Sequence, residues 1–309
     1  MPDRPRIVFM GTPEFAVPSL EACAEIGEVV LVVTQPDKPK GRGQELAPPP
    51  VKQWALARGL PVRQPEKLKA TRFHEELIPF APQVAVVAAY GRILPPELLA
   101  VPEKGCVNVH GSLLPKWRGA APIQWAVASG DATTGVCLMA MEAGLDTGPV
   151  IARKEIAIEP TDTGGSMHDK LARLGADLVL AELPPFLRRE RVPVPQDHAR
   201  ATLAPMLKKE DGRLDFRLAA RALECRLRGF TPWPGAFTFL AGKLLKIVKA
   251  RVGDGRGEPG EIVSTASGLE VACGEGSLVI EELVPECKRA MSAAQFLAGR
   301  ARKKGDRLG

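Results

Sequence analysis

Apolar residues are distributed differently in the two parts of the chain. Up to residue 158, short continuous blocks recur: RIVFMG (6–11), EVVLVVT (28–34), QVAVVAAYG (83–91), CVNVH (106–110), TTGVCLMAM (133–141) and VIARKEIAI (150–158). Between them lie stretches whose apolar positions repeat at helical spacing. Strands that are apolar on both faces are covered by helices on both sides, so the alternation predicts a doubly wound, mostly parallel, Rossmann-like α/β sheet. Helices are expected from the loop after the first strand through Ala24, and over 51–58, 71–80 and 122–131, with a short strand near Pro61 and Val62. Residues 161–187 open with Thr and Asp and keep a helical stripe, which predicts a long helix closing this domain.

The pattern then changes. Residues 188–207 are Pro-rich with mixed charge and no period, and read as a linker. A helix over 214–228 precedes short runs at 236–241, 244–251, 260–264, 268–273 and 277–284, each ended by turn residues. That spacing predicts a small antiparallel barrel, followed by a helix at 292–301 and a basic tail. The expected division is a domain over 1–187, the linker over 188–207, and a barrel domain over 208–309.

Composition narrows the classes. The 309 residues suffice for two cores, and 45% hydrophobic with 25% charged residues is ordinary for a globular chain. No stretch of about 18 apolar residues and no signal-like core occur, so a cytoplasmic location is expected. The six cysteines form no C-x-x-C pair and have no histidine at ligand spacing, which predicts neither a metal site nor a disulfide framework. After the first strand Gly11 stands alone where dinucleotide folds carry G-x-G-x-x-G, which disfavours a nicotinamide cofactor. Net charge is +6, yet residues 1–190 hold 21 basic and 22 acidic groups and the remainder 21 and 14. The excess basicity of the C-terminal part suggests a polyanionic partner, although a solvated basic face would look the same from charge alone.

Candidate chemistry concentrates in GCVNVHGSLLPKWRG (105–119). An alternating strand points Asn108 and His110 to one face, next to its carboxyl end, where open parallel sheets bind ligands. Asp146 lies in EAGLDTGP (142–149), where Gly144 and Gly148 permit close approach. Singly, each has a plainer reading: a turn cap, an interior histidine, a turn aspartate. A second candidate is the loop QPDKPKGRGQELAPPP (35–50), too long and irregular to be a routine connection. Arg42 sits at its tip with Lys38 and Lys40 close by, suited to phosphates or to stacking on a base.

Asn108, His110, the run Ser112-Leu113-Leu114-Pro115 and Asp146 within GLDTGP together resemble, in order and spacing, the signature of the folate-dependent formyltransferases. The TQPDKPKGRG loop and the C-terminal barrel are similar to those of the branch acting on methionyl-tRNA, so the resemblance spans the whole chain. It implies transfer of the formyl group of 10-formyltetrahydrofolate to the α-amino group of initiator methionyl-tRNA for translation initiation. It further implies that Asn108, His110 and Asp146 are catalytic and that residues 112–115 with Tyr90, Arg92 and Ile93 contact the folate. Arg42, Lys38 and Lys40 would meet the tRNA acceptor stem, and the barrel would be of the oligonucleotide-binding (OB) type. A metal, a membrane and a protein partner are not implied, and a monomer is expected. The chemistry suits these residue types: a tetrahedral intermediate carries an oxyanion, for which one donor such as Asn108 is worth about 3 kcal/mol. His110 could donate and pass a proton toward N10, while Asp146 holds the imidazole or a relay water. Two alternatives stay open, a related formyltransferase or hydrolase acting on another amine and an inert tRNA-binding module. The loop and basic barrel argue against the first, the intact Asn, His and Asp against the second.

Overall fold

In the computed structural model, residues 4–40, 45–69, 71–266, 268–298 and 305–309 are described, Lys40 by its backbone only. The chain runs β1 (Arg6–Gly11), α1 (Val17–Ile26), β2 (Glu28–Val33), β3 (Lys38–Lys40), β4 (Glu45–Ala47), α2 (Pro50–Leu56), β5 (Val62–Arg63), β6 (Val84–Ala88) and α3 (Pro96–Leu99). It continues with β7 (Cys106–His110), β8 (Arg118–Gly119), α4 (Pro122–Ala128), β9 (Thr133–Ala140), β10 (Val150–Ala157), α5 (Gly164–Leu187) and β11 (Leu203–Ala204). The C-terminal elements are α6 (Ala220–Gly229), β12 (Ala236–Leu240), β13 (Lys243–Gly253), β14 (Ile262–Ser264), β15 (Leu269–Ala272), β16 (Ser277–Pro285), β17 (Met291–Ser292) and α7 (Ala293–Ala298). Two compact units result, one comprising 1–122, 133–157 and 168–205, the other 123–132, 158–167 and 206–309.

The first unit is built on a seven-stranded sheet in the order β10-β9-β7-β6-β1-β2-β5. Strands β1, β2, β5, β6 and β7 are parallel, while β9 runs antiparallel to β7 and β10 antiparallel to β9. The α/β class is as the apolar blocks predict, and the central strand β6, VAVVA, is buried at every position. Pairing of His110 with Cys137 and of Val107 with Ala140 means that β9 ends beside the start of β7. The 142–149 loop therefore leaves the sheet at the edge opposite to the carboxyl end of β7, and must run back to reach it. Periodicity carries no strand direction, so this reversal is invisible in the sequence.

Local departures from the predicted elements have identifiable causes. Residues 71–80 form two single 3-10 turns, Phe73–Glu76 and Ile78–Phe80, because Pro79 cannot continue a helix and restricts the residue before it. Helix α6 starts at Ala220, since Leu214 is held extended by its N–H to the Phe237 carbonyl (2.8 Å) and Ala219 is extended too, bridged to Glu275, whose carbonyl takes the Ala220 N–H at 2.9 Å. The 188–207 stretch is ordered through residue 205 within the first unit: Val194 exchanges both backbone hydrogen bonds with Val150 at 2.8 Å, and β11 pairs in parallel with β8. Within the 35–50 loop, β3 and β4 form a hairpin stem.

The second unit is a curled antiparallel sheet, a half-barrel in the order β12-β13-β16-β15-β14, with β17 pairing Glu282 and Leu283 of β16 beyond the end of β15. Register shifts at Ile247/Lys249 and Lys249/Ala250 let the 11-residue β13 bend, as bulges do. Helix α6 packs on β13 and β16, placing Leu223 and Leu227, four apart and so on one face, in a core with Leu245, Ile247, Leu278 and Ile280. The terminal helix is described as α7; residues 299–304 lie outside the described residues.

Helix α5 buries Leu171, Leu178, Val179 and Leu183 on a stripe that also contains Gly175. A Cβ there would stand 2.8 Å from Val109 Cγ1 on β7, so the glycine sets how closely the helix approaches the strand carrying Asn108 and His110. Gly175→Ala gains about 1 kcal/mol of helix propensity but overpacks a stiff β-branched neighbour, which costs about 1–3 kcal/mol. We predict a net loss in urea unfolding, absent when Val109→Ala is already present. A stabilised Gly175→Ala protein would show that the helix does not depend on this contact.

Candidate active site

Strand β7 presents Asn108 and His110 on one face, with Val107 and Val109 buried on the other. His110 is 5% exposed, whereas Asn108 is only half-buried. The carboxylate of Asp146 reaches both: Oδ2 accepts the Gly119 N–H at 2.8 Å and lies 3.7 Å from His110 Nδ1, and Oδ1 is 3.4 Å from Asn108 Nδ2. The other imidazole nitrogen, Nε2, is 3.0 Å from the Trp117 carbonyl. A carbonyl only accepts, so Nε2 carries the hydrogen in that contact, while Nδ1 faces the carboxylate at a distance longer than a hydrogen bond. The three polar side chains singled out in the sequence thus converge, although Asp146 comes from a loop that leaves the far edge of the sheet.

Two residues of this cluster have left-handed backbone, Trp117 at φ 61° and Asp146 at φ 52°. Such conformations cost about 1–3 kcal/mol and persist only where neighbouring structure enforces them. Here the neighbours are specific. Gln196 Nε2 donates to the carbonyls of Asp146 (2.9 Å) and Gly148 (2.7 Å), and its Oε1 accepts from Arg118 Nε (3.2 Å) and Nη2 (2.7 Å). Arg118 Nη2 also lies 3.1 Å from His198 Nδ1. Thr202 accepts the Trp117 N–H on its hydroxyl (2.9 Å) and the Arg118 N–H on its carbonyl (2.9 Å). Gly119 sits at φ 120° where a Cβ would be 2.7 Å from the Ala204 carbonyl oxygen, so the β8–β11 pairing requires a glycine there.

The remaining candidates are placed as follows. Ser112 is fully buried and its hydroxyl donates to the Lys116 carbonyl at 2.6 Å, closing the turn. Leu114 packs into a small cluster with Cys137 and Met139, while Leu113 and Pro115 stay half-buried. Tyr90 is 2% exposed, and its carbonyl accepts from Thr12 Oγ1 (3.2 Å) and Gln35 Nε2 (2.9 Å), tying the turn after β6 to the loops after β1 and β2. Arg92 donates to the Glu66 carbonyl, and Ile93 is 70% exposed. Lys38 Nζ donates to Gln35 Oε1 at 3.1 Å. At the base of the hairpin, hydrogen bonds from Lys52 and then Gln64 hold the Asp37 carboxyl below the usual carboxylate range. The Lys40 side chain and Arg42 lie outside the described residues. Sequence reasoning missed Gln196, Arg118 and Gln35. Arg118 at least adjoins the signature, whereas Gln196 sits in a Pro-rich stretch with nothing to distinguish it.

Formyl transferase is the family whose model matches residues 5–183, and the model of the formyl transferase C-terminal domain matches residues 206–301. The chain is 61% identical to the methionyl-tRNA formyltransferase of Myxococcus xanthus over 96% of its length and 95% of that protein's. The chain belongs to the methionyl-tRNA formyltransferase family. A second relative of the same name, from Citrifermentans bemidjiense, is 50% identical over 98% of this chain and 96% of that one. The family fold extends to WlaRD, a sugar 3N-formyl transferase solved in the presence of dTDP and 5-N-formyl-THF, at TM-score 0.65 and 15% identity over 92% of this chain and 97% of that one. It extends also to HypX from Aquifex aeolicus in complex with tetrahydrofolic acid, at TM-score 0.60 and 17% identity over 98% of this chain and 50% of that one.

Among the described residues, no three His, Cys, Asp or Glu side chains gather as a metal site would need, and no helix is long and apolar enough to cross a membrane.

Tyr90 offers a direct check of this region because it is the only tyrosine in the chain. Its hydroxyl is buried without a hydrogen-bond partner among the described residues, and burial pushes the phenol up to about 12, with Arg92 opposing part of the shift. An unfolded tyrosine ionises near 10, so the folded state resists ionisation and stability should fall as pH rises between about 10 and 12. Phenolate absorbance of the native protein should titrate near 12, and Tyr90→Phe should be as stable as wild type or slightly more so. A native titration at 10 would mean that water reaches the ring.

Proposed function

We propose that this protein transfers the formyl group of 10-formyltetrahydrofolate to the α-amino group of initiator methionyl-tRNA, for translation initiation in the cytoplasm, acting as a monomer. The observation that carries the reading is the convergence of Asn108, His110 and Asp146 in a chain that aligns over 96% of its length with a methionyl-tRNA formyltransferase. The neutral amine attacks the formyl carbon, the carbonyl electrons move onto oxygen, and the C–N10 bond then breaks as N10 takes a proton while the amine loses one. Asn108 supplies the oxyanion donor: one Nδ2 hydrogen makes a long contact to Asp146, and the half-buried amide leaves the other for substrate. Asp146 and His110 move the proton, the carboxylate being fixed by the Gly119 N–H so that it faces the imidazole. Residues 112–115 and the turn bearing Tyr90, Arg92 and Ile93 contact the folate, through backbone groups, Leu113, Pro115 and the exposed Ile93 in preference to the buried Ser112 and Leu114 side chains. Arg42, Lys38 and Lys40 meet the acceptor stem.

For tRNA, the second unit offers a face with the right chemistry. Lys246 stands opposite Phe237 in the β12–β13 register, Phe237 and Phe239 meet edge-on at 6.0 Å, and the Arg213 guanidinium lies 5.5 Å over the Phe239 ring. Exposed Lys243 extends the basic character of this hairpin.

The reading is tested by incubating the protein with 10-formyltetrahydrofolate and charged initiator tRNA, with free methionine and a sugar-nucleotide amine in parallel. Formylation of an amine other than methionyl-tRNA would redirect it. Asn108→Ala should lower kcat by about 10²–10³-fold, as loss of one oxyanion donor does, and combining it with His110→Ala and Asp146→Asn should add far less than the product of the single effects. Lys243→Ala and Lys246→Ala together should flatten the salt dependence of tRNA binding, by about 1 in slope for each phosphate no longer neutralised, without altering folate affinity. An unchanged slope would move the tRNA face elsewhere.

A further inference from the structure

We propose that Gln196 is a positioning residue for catalysis, acting through Asp146; this rests on the catalytic reading of Asp146 above. Its amide nitrogen bridges the carbonyls of Asp146 and Gly148 at 2.9 and 2.7 Å, the two oxygens flanking the short segment that turns the carboxylate toward His110. Its amide oxygen is clamped by two N–H groups of Arg118 at 3.2 and 2.7 Å. The orientation of the amide follows from its partners, because two carbonyls demand the NH2 end and a guanidinium demands the oxygen. Gln196 is 8% exposed and Arg118 6%, so water does not substitute readily for either.

The irregular segment bearing Gln196 is anchored at both ends. Val194 pairs with Val150 just after the Asp146 loop, and Thr202 with β11 pairs with residues 117–119. The same short segment therefore grips the loop that supplies the carboxylate and the turn that supplies the Gly119 N–H and the Trp117 carbonyl. Asp146 needs such a grip for a physical reason. Its loop leaves the wrong edge of the sheet, its backbone is left-handed, and its carboxylate stands 3.7 Å from Nδ1, beyond direct hydrogen-bond reach, so its placement decides whether a proton can pass by a closer approach or through one bridging water. Side chains near the chemistry tolerate little: a misplacement of about 1 Å costs up to about 10²-fold in rate.

Gln196→Met keeps the volume and removes every hydrogen bond. We expect kcat to fall at least about tenfold, with the KM for 10-formyltetrahydrofolate within about threefold of wild type. The discriminating measurement is a double-mutant cycle under single-turnover conditions. In an Asp146→Asn background, Gln196→Met should have almost no further effect, because the group it positions is already gone; a merely structural residue would lower the rate by the same factor in both backgrounds. Should Gln196→Met fail to fold, Gln196→Glu carries the same cycle: it keeps the Arg118 partner and turns an acceptor toward the two carbonyls. Equal losses in both backgrounds, or a wild-type kcat for the single variant, overturn the proposal. The underlying catalytic reading fails separately, if Asp146→Asn alone retains wild-type turnover.

Discussion

The hydrogen bond from the Gly119 backbone to the Asp146 carboxylate, 2.8 Å long, is the constraint around which the site is arranged. It joins a turn that follows β7 to a loop that follows β9, and β9 runs the other way. A carboxylate arriving from the opposite edge of a sheet has no strand to fix it in register with His110. It must be captured by backbone donors and buried amides instead. Because backbone donors do not titrate and a buried amide does not exchange partners readily, the capture holds the carboxylate in one place, which is the preorganisation that the proposed reaction asks of it. The left-handed backbone at both Trp117 and Asp146 is consistent with this view, since strain of that kind survives only where several contacts agree on one geometry.

Two halves of the site were unequally legible in the sequence. Asn108 and His110 could be placed on one face from strand alternation alone, and the order of Asn, His, the SLLP run and Asp carried the family. The apolar blocks were enough for an α/β unit followed by a β unit. Strand direction at β9 was not legible, because an apolar run looks the same whichever way it is traversed. Residues 71–80 kept a helical stripe while Pro79 broke the helix, so local backbone chemistry overrode periodicity. Gln196 could not be found, for its partners are 50 and 48 residues away in Asp146 and Gly148, and a glutamine among prolines announces none of them.

Gln35 shows a related economy at the other loop. Its side chain donates to the Tyr90 carbonyl and accepts from Lys38, and its own carbonyl accepts from Gln64, which also holds Asp37. One amide thereby connects the base of the 35–50 hairpin to the turn carrying Tyr90, Arg92 and Ile93. The two elements are thus held by common hydrogen bonds, so a displacement of one is passed to the other through atoms already in contact.

Ser112 constrains the mechanism from the negative side. A hydroxyl in a tight corner beside a histidine invites a covalent route, in which an activated serine takes up the formyl group before passing it on. Nucleophilic serine needs a base within hydrogen-bond reach and an exposed oxygen. Here the Ser112 oxygen is buried and its hydrogen is given to the Lys116 carbonyl at 2.6 Å, while both nitrogens of His110 face other oxygens, those of Trp117 and Asp146. The serine's role is to close the turn, and the imidazole is aligned with a carboxylate rather than with a hydroxyl. Direct attack of the amine on the formyl carbon is the route these contacts favour in the proposed reaction, in which the half-buried Asn108 is the oxyanion donor and the aspartate–histidine pair manages protons.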